Sequence, residues 1–448
     1  MTPEGGGGAG LSRRQVLVGA AVAAVGLPAS WWLFARSGEE TPSGRPEQRV
    51  PANTLAKHVV LIDWDGFDPD YLGRAPTPNL DELAARGSLS VAEGTFQATS
   101  NPARASMSTG AYQETHGNAA YHYDRGLGRA VGKTRYLVAE TIAEALADEG
   151  RTTAAVEWYM VQDHGAVYGD PDHLYVEPDG PFERQVDAAV KILNLRPVDS
   201  GGEAVAVRKV PDFLAVYGPD LDRLGHREGA ESPGIGPLLS EMDRQLGRLI
   251  RATEEVGIRE ETAFLLTSDH GMTTWKRPAT EALDAIMRAG FRPEVVLPGR
   301  SPSAATEVVV VLSSVRVADV TLLGRAATRE GRARVRAALE GAPHVARVLD
   351  RADLAALRAG DGLGDFVVEA QEPYGFSLEA PEGGASRGAH ASTKEMRVPL
   401  LLSGAGVRPG ARPRSPRLVD VAPTVAALLG ARPPADAQGR ALTEALGG

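Results

Sequence analysis

The 448-residue chain contains no cysteine. Disulfides, thiolate metal sites and a cysteine nucleophile are thereby excluded, and any metal must be held by Asp, Glu and His. Positive charge is also short: 48 Lys and Arg stand against 58 Asp and Glu, a net charge of −10. Such an acidic chain has no electrostatic footprint for duplex nucleic acid. There is no internal repeat. The composition that remains, 43% hydrophobic and 24% charged, is that of a globular protein and excludes a mainly disordered one. At about 100–200 residues per domain, the length allows two or three domains and a sizeable core. The 51 Gly and 31 Pro indicate many loops.

The one long hydrophobic run lies near the start. After a Gly-rich stretch come Ser12-Arg13-Arg14-Gln15, then an uncharged segment from Val16 to Ala35, closed by Arg36. About 20 apolar residues suffice to span a bilayer. Paired arginines ahead of that run resemble a twin-arginine export signal, read by the twin-arginine export machinery. An ordinary membrane anchor, positive side inside, is the plainer reading. No clean A-x-A site follows, and Trp31-Trp32 stand where an interfacial belt would lie. A retained anchor and a cleaved signal therefore both stay open for 1–36. The polar, Pro-rich segment 37–54 reads as a tether. The expected location is extracytoplasmic, secreted or membrane-tethered, in a bacterium.

Beyond the tether, apolar runs alternate with helix-periodic segments. Strands are expected at 58–64, 153–158, 212–217, 262–268 and 398–402, and helices at 79–87, 101–110, 137–149, 235–256 and 419–429. Within 235–256, Leu238, Met242, Leu246, Leu249 and Ile250 recur at helical spacing. The pattern predicts an α/β fold with a mostly parallel central sheet covered by helices on both faces. Ligands of such folds collect at the C-terminal ends of the strands. Residues 280–385 read differently, with strand-like 306–313 and 365–369 around an Arg/Ala-rich helix near 326–340. We take them as a smaller inserted α+β, cap-like domain between two parts of a catalytic core, 55–279 and 386–448.

Metal-type ligands stand beside four of these strands. Asp63-Trp64-Asp65-Gly66 follows VVLI, Asp222 through His226 follows FLAVYGP, Asp269-His270 follows FLLTS, and His390 precedes VPLLL. Singly, an Asp-Gly is a turn and a histidine is a surface or core residue. His58, His116, His122, His164, His173 and His344 are read that way. Jointly the pattern says more. Asp and His four residues apart can converge on one ion, and an adjacent Asp-His pair can face two ions, or one ion and its surroundings. Carboxylate with imidazole suits zinc, manganese or iron. Two such ions would clamp the attacking and leaving oxygens of a displacement at phosphorus.

A hydroxyl stands ahead of an expected helix in Thr99-Ser100-Asn101-Pro102-Ala103-Arg104. Pro102 suits a first helical turn. Ser100 is expected at the N-cap, where free N–H groups favour an anion. Beside two cations it could ionise and attack phosphorus, with Arg104 as a fork on the phosphoryl oxygens. Trp64, Phe67 and His116 are read as lining the approach.

The segments VVLIDWDGFDPDYL, PTPNLDELAARG, TSNPARASMSTGAYQETHG, DLDRLGH, LLTSDHGM, RGAHAS and VDVAPTVAALLG, in this order, resemble the alkaline phosphatase superfamily, and most of all its type I phosphodiesterase/nucleotide pyrophosphatase branch. The resemblance covers about 56–275 and 386–448. It implies an alkaline phosphatase-like core and hydrolysis of a small phosphate-ester substrate, by a phosphatase, phosphodiesterase or pyrophosphatase, through a phosphoseryl intermediate. Position by position, it implies Ser100 as nucleophile. It places Asp65, Asp269, His270 and the Ser100 oxygen on one divalent ion, and Asp222, His226 and His390 on the other. Zinc is the usual metal of the family.

Two departures matter. The nucleotide branch usually carries Thr at the nucleophile and Asn three residues on; here these are Ser100 and Ala103, which leaves Asn101 or Arg104 as substitutes on the phosphoryl group. Ser100-x-Pro102-x-Arg104 also resembles the sulfatase signature. The alternative is therefore a sulfatase or phosphonate monoester hydrolase with formylglycine at 100. Sulfatases resemble one-metal enzymes with Asp-Asp in the first motif, whereas this chain has Asp63-Trp64-Asp65 and a second ligand set, which favours phosphorus.

Overall fold

The computed structural model describes residues 54–447. The expected signal or anchor, and all of the tether but Thr54, lie outside the described residues. No helix among the described residues is long and apolar enough to cross a membrane.

The central sheet has seven strands: β1 (His58–Trp64), β2 (Ser88–Glu93), β3 (Thr153–Val156), β4 (His173–Val176), β5 (Phe213–Gly218), β6 (Thr262–Thr267) and β7 (Arg397–Gly404). Their order across the sheet is β2-β7-β6-β1-β5-β3-β4. β1 lies between β6 and β5, parallel to both, with Asp63 in register with Thr267 and Tyr217. β3 continues parallel to β5 and to β4.

The strands are near-continuous apolar runs because both faces are covered. Helices α1 (Pro78–Ala85), α2 (Ser100–Thr109), α3 (Ile142–Asp148), α4 (Phe182–Leu193), α5 (Asp220–Glu228), α6 (Ile235–Glu255) and α7 (Val421–Leu429) do the covering. Alternate residues of β1 divide between the faces. Val59 and Leu61 join Ala103 and Met107 of α2, Ile142 of α3 and Leu428 of α7. Val60, Ile62 and Trp64 join Leu80 of α1, Phe182 of α4, Leu221 of α5 and Met242 of α6. Each such large side chain contributes about 1.5–3 kcal/mol on burial.

The expected elements are present, with boundaries shifted for local reasons. α3 starts at Ile142, not 137, because Thr141 and Glu144 form a reciprocal capping box there. In α6, Leu239, Met242, Leu246 and Leu249 are buried, while Leu238 and Ile250 sit at the margin of the core.

The reversed strand is β7, antiparallel to both β6 and β2. The chain leaves β6 at its C-terminal end, builds the inserted segment, and returns along its own exit path, Arg387–Ala389 pairing antiparallel with Thr273–Trp275. The next strand therefore enters from that same end and must run backwards. The inserted segment carries a five-stranded sheet, ordered 293–295, 308–313, 317–322, 366–370 and 345–350. It has its own apolar cluster around Ile286, Val310, Val320, Leu339 and Phe366, within one compact unit with the core.

Candidate active site

β1, β5 and β6 are adjacent and parallel, so the residues that follow them emerge together. Asp65 leaves β1 and Asp269-His270 leave β6. α5, after β5, is fixed to the Asp65 turn by the Asp222 N–H, which donates to the Asp65 carbonyl at 3.0 Å. Gly66 makes this approach feasible: its φ is +70°, and a Cβ there would lie 3.0 Å from Asp222 Cα.

In the first group, His270 Nε2 lies 3.4 Å from Asp65 Oδ1 and 3.4 Å from Asp269 Oδ2. Ser100 Oγ is 3.4 Å from the same nitrogen. Tyr217 donates to Asp65 Oδ2 at 2.7 Å, and the N–H groups of Gly66 and His270 donate to Asp269 Oδ1 at 3.2 and 3.0 Å. In the second group, His226 Nε2 is 3.2 Å from Asp222 Oδ1 and 3.2 Å from His390 Nε2, and His390 Nε2 is 3.8 Å from Asp222 Oδ1. His390 reaches the nucleophile because Ala98 bridges Ala391. All seven side chains expected to act together are thus brought to one end of the sheet.

The donor chemistry fits metal ions. Asp65 Oδ1, Asp269 Oδ2 and Asp222 Oδ1 are buried without a well-formed hydrogen bond, a costly state for a carboxylate. Each histidine places Nδ1 against a carbonyl oxygen, His226 on Gly388 at 3.1 Å, His270 on Gly271 at 2.9 Å and His390 on Ala98 at 2.9 Å. A carbonyl can only accept, so Nδ1 carries the proton and Nε2 turns its lone pair inward, the arrangement of metal-binding histidines. Nε2 of His226 and Nε2 of His390 both face Asp222 Oδ1, at 3.2 and 3.8 Å, close enough for the three atoms to share one bound cation.

Charge crowding says the same. Burial pushes Asp269 up to about 7 against the opposing pull of Arg104, with repulsion from Asp65 adding to the rise. Burial would also raise Asp65, but Arg104 and His270 hold it well below the usual carboxylate range. His390 is driven well below its ordinary value by burial and by the neighbouring His270 and His226. His226, which burial would lower, is raised to about 9 by Asp222.

Three expectations need correction. Arg104 does not face substrate: its side chain is 0% exposed and sits beneath the site, with Nε 2.6 Å from Asp63 Oδ2 and Nη2 3.0 Å from Asp65 Oδ2 and 3.1 Å from Asp269 Oδ2. Three carboxylates, Asp63, Asp65 and Asp269, draw the guanidinium inward. Ser100 is not the N-cap; Thr99 takes that position in extended backbone, and Ser100 begins α2. Trp64, Phe67 and His116 are fully buried packing residues, not an approach wall. Asn101 does border the cavity, with its Oδ1 accepting from Tyr159 at 2.8 Å and its Nδ2 donating to the Thr134 carbonyl.

Sequence reading missed Asp63 as the partner of Arg104, Tyr217 as the donor to Asp65, and Lys133, Tyr121 and Ser314 in the cavity wall. Asp63 had a signal, its place one pleat before Asp65 on the same face of β1. The others had none.

Residues 59–392 match the family model for type I phosphodiesterase / nucleotide pyrophosphatase. The chain belongs to that family. Among curated relatives, a bis(5'-adenosyl)-triphosphatase of Xenopus laevis is 28% identical over 232 residues, 50% of this chain and 48% of that protein. The human ectonucleotide pyrophosphatase/phosphodiesterase family member 5 is 26% identical, over 55% of this chain and 50% of its own. The chain thus spans about half the length of the curated relatives it matches. The solved structure of human ectonucleotide pyrophosphatase / phosphodiesterase 5 superposes with a TM-score of 0.65 at 20% identity, covering 84% of this chain and 96% of that one. A phosphonoacetate hydrolase from Sinorhizobium meliloti 1021, in complex with phosphonoformate, gives 0.63 at 19% identity, covering 84% and 97%. These likenesses establish a shared fold.

Proposed function

We propose that this member of the type I phosphodiesterase / nucleotide pyrophosphatase family is an exported, metal-dependent hydrolase of small phosphate esters, acting through Ser100. The observation that carries the reading is the meeting of two Asp/His groups beside one serine hydroxyl at the start of a helix. Asp65, Asp269, His270 and the Ser100 oxygen would hold one divalent ion, and Asp222, His226 and His390 the other, zinc being the usual metal and manganese or iron also suited to these donors. Bound ions of this kind neutralise phosphoryl charge and lower the pKa of a hydroxyl or water.

The chain's own residues do the rest. Ser100 Oγ forms the new bond to phosphorus while the ester oxygen leaves, giving a phosphoserine. Water then cleaves that bond and the serine oxygen recovers its proton. The free N–H groups of the first turn of α2 face the phosphoryl oxygens. Arg104 and Asp63 fix the carboxylates from below, and the three Nδ1–H donations fix the imidazoles. We read the segment 280–385 as a cap-like domain, and 1–36 as the twin-arginine signal or anchor that delivers the enzyme outside the cytoplasm.

The test uses p-nitrophenyl phosphate mono- and diesters. Turnover is expected only with divalent metal, at two equivalents per chain. Chelation abolishes it, and so does Ser100→Ala. Wild-type turnover in Ser100→Ala sinks the mechanism. A formylglycine mass at residue 100 of the active protein transfers the chemistry to the sulfatase or phosphonate-ester alternative.

A further inference from the structure

His390 is delivered by the returning chain, and one carboxylate grips the backbone on both sides of it. Glu395 is 1% exposed. Its Oε1 accepts from Thr273 Oγ1 at 2.7 Å. Thr273 pairs in register with Ala389, whose carbonyl lies 3.0 Å from the same hydroxyl. The other oxygen, Oε2, accepts from the Ser392 N–H at 2.8 Å and from Ser392 Oγ at 2.6 Å. The residue before His390 and the second residue after it are thus tied to one side chain, the former through Thr273.

The charge of that carboxylate is met from the inserted segment. Arg316, 3% exposed, places Nε 3.4 Å from Glu395 Oε1. Among the described residues no other cation forms an ion pair with Glu395. The guanidinium is fixed in turn by the Ala370 carbonyl, which accepts from Nη1 at 2.7 Å. Arg316 ends the turn between strands 308–313 and 317–322, and its neighbour Val315 bridges His390 directly. A buried ion pair adds little net stability, because desolvation offsets the attraction. It does supply one geometry. Glu395 can face Thr273 and Ser392 in the interior only while its charge is met, since an unpaired buried carboxylate is costly.

We propose that Arg316 and Glu395 are positioning residues for the second metal group. Through this pair the inserted segment holds His390 in line with Asp222 and His226, and so sets how tightly that group takes its ion. This rests on the two-ion reading above. The inserted segment contributes no ligand, yet governs one half of the site. The first group hangs on β1 and β6. It meets Glu395 through one backbone hydrogen bond, from the Gly271 N–H to the Glu395 carbonyl at 2.7 Å, which side-chain substitutions leave in place.

Zinc titration of the metal-free full-length protein by calorimetry tests the proposal. The wild type is expected to take two equivalents. Arg316→Met should weaken one of them about tenfold or more and leave the other within about twofold. Arg316→Lys keeps the charge and should recover most of the loss. Thr273→Val and Ser392→Ala each cut one tie without breaking the ion pair, and should weaken the same equivalent by smaller factors. In His226→Ala protein, whose second group is already broken, adding Arg316→Met should leave the remaining equivalent unchanged. Two unaltered equivalents in Arg316→Met, or equal weakening of both, overturns the proposal. If Arg316→Met does not fold, Thr273→Val decides, and unaltered zinc affinity there is fatal. A wild type that takes fewer than two equivalents defeats the two-ion reading separately. Amide hydrogen exchange in metal-free protein then judges the pair alone. The peptide spanning 387–393 must exchange faster in Arg316→Met, by about tenfold or more, with β1 unchanged. Arg316→Lys must restore its protection, and unchanged exchange in that peptide rules the positioning role out.

Discussion

The imidazole rings of His270 and His390 are stacked, their centroids 3.6 Å apart and their planes 10° from parallel. One belongs to the group on β6 and the other to the group assembled from α5 and the returning chain. Stacking them makes the two groups a single site, since neither ring can move without displacing the other. It also lays His390, whose Nε2 is 3.2 Å from His226 Nε2, against the ring whose Nε2 lies 3.4 Å from Ser100 Oγ.

The buried guanidinium of Arg104 joins three carboxylates, Asp63, Asp65 and Asp269. Removing one partner of a buried ionic network leaves the others uncompensated, at a cost of about 3–5 kcal/mol. Arg104→Met should lower urea stability by that amount in metal-free protein, and by less when zinc supplies replacement charge. Arg104→Lys should recover little, because an ammonium cannot bridge three carboxylates held at fork geometry. Equal losses with and without zinc would show that Arg104 and the metal do not share these carboxylates.

Gly66 holds the two groups at their present separation. Gly66→Ala strains a φ of +70° and forces its Cβ to within 3.0 Å of Asp222 Cα. α5 should shift outward, carrying Asp222 and His226 with it. Zinc titration by calorimetry is expected to show one equivalent bound as in the wild type and the other weakened about tenfold or more, a loss of about 1.4 kcal/mol. Two unaltered equivalents would mean that the backbone absorbs the methyl group elsewhere.

His116 sets part of the acid limit of stability. It is fully buried, its Nδ1 accepts from the Asn118 N–H at 3.0 Å, and its Nε2 faces Ser106 Oγ at 2.9 Å. Burial lowers its pKa from 6.5 to about 3. In that window the unfolded chain binds a proton that the folded one refuses, so stability is complete above pH 6.5 and falls as the pH drops toward 3. From pH 7.5 to pH 5 this one group should remove about 2 kcal/mol. The stability gap between wild type and His116→Gln in metal-free protein should therefore narrow by about that amount at pH 5. A gap that does not change with pH would refute a neutral buried imidazole.

Much of this protein is determined by its sequence, because much of it is local. The apolar run of β1 and the helical spacing in α6 depend on near neighbours alone, and both elements stand close to where periodicity places them. Asp65, Asp269 and His270 follow apolar strands directly, and Asp222 and His226 share one helix face, so these donors are legible before any folding. Tertiary structure alone decided the rest. The inserted segment sends the chain back to the end it left, which reverses β7 and delivers His390. Three carboxylates meeting at one point turned Arg104 inward, away from substrate. Lys133 and Ser314 come from loops whose paths are set by distant hydrogen bonds, to Asn101 and to the His390 backbone. No periodicity encodes such contacts, because the energy that fixes them belongs to pairs of residues remote in the chain.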